Sequence, residues 1–464
     1  MSTPRFTPHP AGRAALRWMA AAMVPAGLSL GALSVANRAE AVPAFTAQTG
    51  QPCQACHIGG FGPQLTPFGR EFKLNGYTMR AGASVPLSAM AIGSVTHTRA
   101  DQNPAPPNFG ANDNPAFDQG SLFVAGGAGQ HFGGFAQFTY DGVAHQWHWD
   151  NLDLRAVTHG QVFGQDAVFG LTLNNAPTVQ DVWNTTAAWG FPYTASALAP
   201  APGAAPLVNG GLAQEVLGLS AYSWIGQKVY LEAGAYTTPS AGTLNWLGVD
   251  PAGGPGNING AAPYARLAFQ QQLGGGTLEL GGLLFKAAIN PGRDRTSGFT
   301  DHYSDVGLDA SWVRPLASGD TLAVNARYVH EAGNLQASCA LGLIGSGASP
   351  DCAHYTLGDL RGDVTYSYRN KVGLTLGAFS TSGSTNGNLY GSPNAAPDSN
   401  GATVQLDYTP WGAGDSPFGK RVNLRLGVQY TAYGKFDGQR HNYDGAGANA
   451  ADNNTLRVFT WVAF

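Results

Sequence analysis

The sequence predicts an all-β fold, a transmembrane antiparallel β-barrel of about 16 strands preceded by a short N-terminal segment of different character. Three observations carry this. Only 25 Lys+Arg and 29 Asp+Glu occur in 464 residues, a charged fraction of 12%, against roughly 25% in an average soluble domain. From about residue 85 onward, apolar residues recur at every second position, the β period. Beyond the first forty residues no segment reaches 18 consecutive apolar residues, so a membrane crossing must be made by strands. The net charge of -4 leaves no basic face for phosphates, and no nucleic acid is expected as a partner.

Taken in chain order, Arg5, Arg13 and Arg17 precede an uncharged stretch from Trp18 to Ala36, and Ala39-Glu40-Ala41 offers a small-x-small exit. This predicts a cleaved signal peptide over residues 1–41. A retained membrane anchor is the rival reading, but Pro25 and the glycines and serines of the stretch favour cleavage.

Next comes Cys53-Gln54-Ala55-Cys56-His57. The spacing reads as a c-type haem attachment site: two thiols add to the two vinyl groups and the adjacent imidazole takes the iron. A disulfide or a redox dithiol would use the same cysteines, but a dithiol needs a βαβ surround that is lacking here. Residues 42–84 form the expected cytochrome segment. So short a chain cannot cover a haem alone, although Phe61, Leu65, Phe68, Phe72, Leu74 and Tyr77 could clasp one face. The segment is therefore expected inside the barrel lumen or at its periplasmic mouth.

The barrel is expected over residues 85–464, with strands at 87–99, 119–127, 133–141, 147–158, 161–173, 213–225, 227–237, 262–273, 276–287, 303–314, 319–332, 354–368, 371–383, 400–411, 419–433 and 453–464. Val422, Leu424, Leu426, Val428 and Tyr430 share one face, opposed by Arg421, Asn423, Arg425 and Gln429. A soluble sandwich also alternates, but here tight turns (Gly226, Gly274-Gly275, Asn370) alternate with long loops (174–212, 238–261, 333–353, 434–452), as periplasmic turns and extracellular loops do. Trp147, Trp149, Tyr366, Tyr368, Tyr408 and Trp411 are placed for aromatic girdles. The alternation Leu456, Val458, Thr460, Val462, Phe464 looks like a barrel assembly signal. Cys339 and Cys352 bracket one of the outer loops and predict a surface disulfide. The inward list, Asp153, Arg155, Glu232, Arg266, Glu279, Asp309, Arg327, Arg361, Asp363, Asp407, Arg421, Arg425 and Arg457, is expected mainly to pair within a wet lumen.

The runs Val42-Pro43-Ala44-Phe45-Thr46-Ala47-Gln48-Thr49-Gly50 and Leu65-Thr66-Pro67-Phe68-Gly69-Arg70-Glu71-Phe72-Lys73-Leu74-Asn75-Gly76-Tyr77-Thr78, flanking the Cys-x-x-Cys-His motif, resemble the N-terminal signature of the fused cytochrome-porins of the outer membrane, whose best-known members are iron oxidases. The motif match covers about forty residues; the rest agrees only in architecture. Ile58-Gly59-Gly60-Phe61-Gly62 departs from the pattern. The resemblance implies one covalent haem c held by Cys53 and Cys56 with His57 on the iron. It also implies Fe(II)-oxidising electron transfer in the outer membrane, from extracellular Fe(II) or another donor to a periplasmic cytochrome or copper protein.

With the signal removed, Met79 and Met90 are the only thioethers. Met79 lies in the segment and is the expected second axial ligand of the haem iron, with His97, His131 or another lumen imidazole as alternatives. The rival function is a solute porin whose haem segment senses or gates.

Overall fold

The computed structural model describes residues 42–80, 87–344 and 353–464. Sixteen long strands form one closed antiparallel barrel: β1 (Leu87–Thr98), β2 (Asn114–Ala128), β3 (Phe132–Asp141), β4 (Gln146–Val162), β5 (Gln165–Asn174), β6 (Leu217–Ile225), β7 (Val229–Thr237), β9 (Ala262–Leu273), β10 (Gly276–Asn290), β11 (Asp301–Pro315), β12 (Thr321–Asn334), β13 (His354–Tyr368), β14 (Val372–Gly383), β15 (Ser399–Tyr408), β16 (Asn423–Lys435) and β17 (Thr455–Ala463). A two-residue strand β8 (Asn257–Ile258) rides on the outer end of β10. The ring closes where β1 pairs with β17, Ile92 opposite Trp461.

Closure follows from the alternation. Val404, Leu406, Leu426, Val428 and Val458 point outward and are exposed, while Thr403, Gln405, Asp407, Arg425, Gln429 and Arg457 point inward and are buried. Lipid outside and a polar interior are the only surroundings that satisfy both faces, and a closed ring leaves no unpaired edge within the hydrocarbon. The chain is an outer-membrane β-barrel. Its tight turns lie at one end: Phe163-Gly164, Gly274-Gly275 and Arg369-Asn370 take positive φ at both central positions, the twist that two-residue hairpins prefer. Long connections occupy the other, extracellular end.

Several sequence expectations need correction. The turn between β4 and β5 falls at Phe163-Gly164 and not near residue 160. Trp149 is buried, because a bulge opposite Ala136 and Phe138 shifts the register and turns its ring under Leu244 and Val249. Arg421 precedes β16 and donates to the Leu87 carbonyl near the barrel rim. His97 projects outward from β1 and pairs with Asp113 at 2.7 Å. His131 sits exposed in the β2–β3 turn, bonded to the Val157 carbonyl. Neither histidine is a lumen residue. Cys339, on the short helix Gln336–Ala340, is disulfide-bonded. The expected partner Cys352, the expected signal peptide and residues 81–84 of the expected cytochrome segment lie outside the described residues.

Two chain segments enter the lumen. Residues 42–80 carry three short helices, α1 (Pro43–Thr49), α2 (Cys53–Cys56) and α3 (Pro67–Leu74). The β5–β6 connection, 175–216, folds inward and is largely buried, although its length alone reads as an outer loop. It is held by polar contacts to the wall: Val208 N donates to Asp305, Leu207 N to Glu331, and Asn209 to Asp359. Asp181 accepts from the backbone of Trp183, Thr185 and Thr186 and faces Arg266.

Candidate functional site

Residues 42–80 span the lumen from wall to wall. On one side Tyr77 donates to Asp153 of β4 at 2.7 Å, Tyr222 of β6 donates to the Leu74 carbonyl, and His159 of β4 contacts Asn75. On the other, Gln64 donates to Thr365 of β13, and Gly59 N donates to Asn370 in the turn that follows. Strands β4 and β13 are eight wall strands apart in a ring of sixteen, so the segment crosses a full diameter near the periplasmic end. The Ile58–Gly62 run is its anchor. Ile58 packs with Val313 and Ala323, and Phe61 is fully buried against Trp461 with ring centroids 5.0 Å apart. Burying such a ring contributes about 1.5–3 kcal/mol. Gly60 has φ +89°, and a Cβ there would come within 2.6 Å of the Gly412 Cα, so glycine is what lets the loop reach the wall.

Local capping holds the Cys-x-x-Cys-His turn in shape. His57 N donates to the Cys53 carbonyl, Ile58 N to Gln64, and Thr66 N to Cys56, closing a loop between α2 and α3. Thr66 caps α3 by accepting from Gly69 N at 3.1 Å, with Pro67 at the first helical position. Gly69 lies directly on α2: a Cβ there would sit 2.3 Å from the Cys56 carbonyl oxygen.

Cys53, Cys56 and His57 line one cavity together with Phe45, Leu65, Phe72, Lys73, Tyr77, Phe135, Asn184 and Trp189. Both cysteines are unpaired thiols, and burial pushes the Cys56 thiol up to about 12. His57 is half-buried, desolvation of its imidazole lowers its pKa to about 4, and its Nδ1 is buried with no hydrogen-bond partner. A neutral imidazole with an unused nitrogen, two thiols on the same wall and an aromatic lining are what a covalently held haem requires. The residues present fit the group.

Lys73 is the cation in this wall. Its Nζ donates to the Val179 carbonyl at 2.8 Å and to Asn184 Oδ1 at 2.9 Å, and lies 4.9 Å from the Trp189 ring centroid. Burial lowers its pKa to about 7. Met79 does not line the cavity; it is half-buried against the cluster containing Phe72, Tyr77 and Phe135. Sequence reasoning missed Phe135, Asn184 and Trp189. The available signal was the density of Trp183, Trp189, Phe191 and Tyr193 in a connection where polar residues are usual.

The lumen charges mostly pair as expected. Arg155 binds Asp153, Arg266 joins Asp181, Glu279 and Asp309, Arg361 binds Asp359, and Arg457 binds Asp118.

No family model matches the chain, and no curated protein matches it. Solved structures of similar fold include Pseudomonas putida OprB (12% identical, 82% of this chain and 94% of that one, TM-score 0.46). Salmonella typhi OmpF in complex with daunomycin (12%, 82% and 98%, TM-score 0.45) and the outer membrane channel DcaP of Acinetobacter baumannii (15%, 84% and 99%, TM-score 0.44) are two more.

Proposed function

We propose that this barrel transfers electrons across the outer membrane through a single haem c attached to Cys53 and Cys56 with His57 on the iron, oxidising extracellular Fe(II) and reducing a periplasmic cytochrome or copper protein. The observation that carries the reading is the attachment motif on the wall of an aromatic cavity, within a segment that spans the lumen. When bound, the haem supplies a one-electron couple.

The chain's own residues would do the rest. Phe45, Phe72, Phe135 and Trp189 exclude water from the cavity, and Asn184 and the Val179 carbonyl hold the Lys73 ammonium at its edge. Met79, half-buried against Phe72 and Tyr77, is the proposed thioether that would hold the haem iron together with His57. The hydrocarbon layer is about 30 Å thick, so a cofactor seated inside the wall shortens the gap between outer donor and inner acceptor. Trp189 lines the haem-side cavity while Phe191, two residues on, lines the outer one, so one short stretch of chain separates the two compartments. Ferric products precipitate near neutral pH, and a plugged barrel accepts the electron without admitting the metal.

Mixing the purified protein anaerobically with Fe(II) and following haem reduction tests this; absence of reduction would remove Fe(II) as the donor. The second reading, a solute porin with a haem segment that senses or gates, is favoured by the sixteen-strand barrel and by the outer cavity above the plug.

A further inference from the structure

We infer that the outer cavity is a binding site for a small carboxylate-bearing anion, centred on Arg327 and Arg361. The cavity occupies the extracellular half of the lumen, roofed by residues 191–211 and walled by β12 to β17. Arg327, Arg361 and Arg457 line it with Thr403, Gln429 and Tyr433, and no carboxylate is among its lining residues.

Arg327 is the informative member. It is 7% exposed, its Nε is buried without a partner, and no hydrogen bond or ion pair holds it among the described residues. The carboxylates nearest to it by electrostatics are Asp359, Asp363 and Asp309. Each is engaged elsewhere: Asp359 with Arg361 and Thr381, Asp363 with Asn325, Asp309 with Arg266. Arg361 spends Nε on Asp359 at 3.0 Å and lies over the Phe379 ring. Arg457 is bound to Asp118 and Thr194, so it contributes field and not a free fork.

A desolvated guanidinium without an acceptor costs free energy unless a ligand supplies one. Carboxylates match its planar fork with two parallel hydrogen bonds. Gly190 reinforces the point, since a Cβ there would lie 1.5 Å from Arg327 Nη1; the glycine makes the room in which this guanidinium sits. The carboxylate could arrive free or already coordinated to Fe(II), and both present the same oxygens. The site stands on this cavity alone and does not depend on whether Cys53 and Cys56 carry haem.

The experiment is calorimetric titration of the full-length detergent-purified barrel with citrate, without metal and with equimolar Fe(II) under anaerobic conditions. Saturable binding that weakens about tenfold in R327Q is expected, the loss of one charge-assisted partner. Binding in the metal-free arm assigns a free carboxylate; binding only with Fe(II) assigns the chelate. Should R327Q fail to fold, as judged by heat-modifiable gel mobility, the wild type still decides the matter: citrate should protect Arg327 and Arg361 from phenylglyoxal modification, read by mass spectrometry. Absence of both saturable binding and protection in the wild type, or equal affinity in a folded R327Q, would overturn the site.

Discussion

Tyr77 donates its phenolic hydrogen to Asp153 Oδ2 at 2.7 Å, and Asp153 also receives Arg155 and Thr172. The last aromatic residue of the plug is thereby a full member of a buried polar group belonging to the wall. Tyr77→Phe keeps the ring packing against Phe45 and Phe135 and removes only the bond. Losing one hydrogen bond to a buried charge should cost about 1.5–3 kcal/mol. The expected result is an intact barrel whose residues 42–80 become protease-sensitive, read by limited proteolysis and mass spectrometry.

The attachment assignment predicts that C53A/C56A abolishes haem staining on denaturing gels while heat-modifiable mobility of the barrel persists. Barrel closure rests on strand pairing, and the two cysteines contribute nothing to it. Covalent haem surviving in the double variant would refute the assignment.

How much of this was legible beforehand divides along one line. All sixteen wall strands follow from period two, because lipid on one side and a polar lumen on the other act on every residue independently. Local chemistry likewise exposes Cys53, Cys56 and His57 in a single pentapeptide. What could not be read depends on distant contacts. The inward fold of 175–216 is decided by Asp305, Glu331 and Asp359, the burial of Trp149 by a bulge and a covering loop, and the cavity walls Phe135 and Trp189 by the closure of the ring.

Gly60 gives a steric test of the anchor. Gly60→Ala combines a left-handed backbone, about 1–2 kcal/mol for a residue with a Cβ, with a contact of 2.6 Å to Gly412. Planar-bilayer conductance should rise relative to wild type, and deletion of residues 42–80 should raise it further, with the 175–216 connection still limiting the current. Equal conductance in all three proteins would mean that the plug does not control the path.

Lys73 predicts a pH dependence. Burial lowers its folded pKa to about 7 from the ordinary 10.5 of a lysine, so between these values the unfolded chain binds more protons and stability rises with pH. The penalty for burying the ammonium is full below pH 7 and relieved toward pH 10.5. In the haem-free C53A/C56A background, urea midpoints at pH 6 and pH 9 should differ, and Lys73→Met should shrink the difference. An unchanged difference would show that Lys73 is not its source.

Met79 is half-buried against the cluster of Phe72 and Tyr77, outside the cavity wall, yet it is one of two thioethers among the described residues. If it completes the iron's coordination, Met79→His should keep the haem low-spin and lower its potential, since imidazole donates more strongly to ferric iron than a thioether does. Fe(II)-dependent reduction should fall accordingly while covalent haem is retained. Redox titration of both proteins under one set of conditions decides it, with the oxidised wild type inspected for the thioether-to-iron absorption band. An unchanged potential together with a missing band would take Met79 out of the coordination sphere. Lys73 would then be the first residue to substitute, because its Nζ is the one amine on the wall that His57 shares and burial holds it near half-deprotonated at neutral pH.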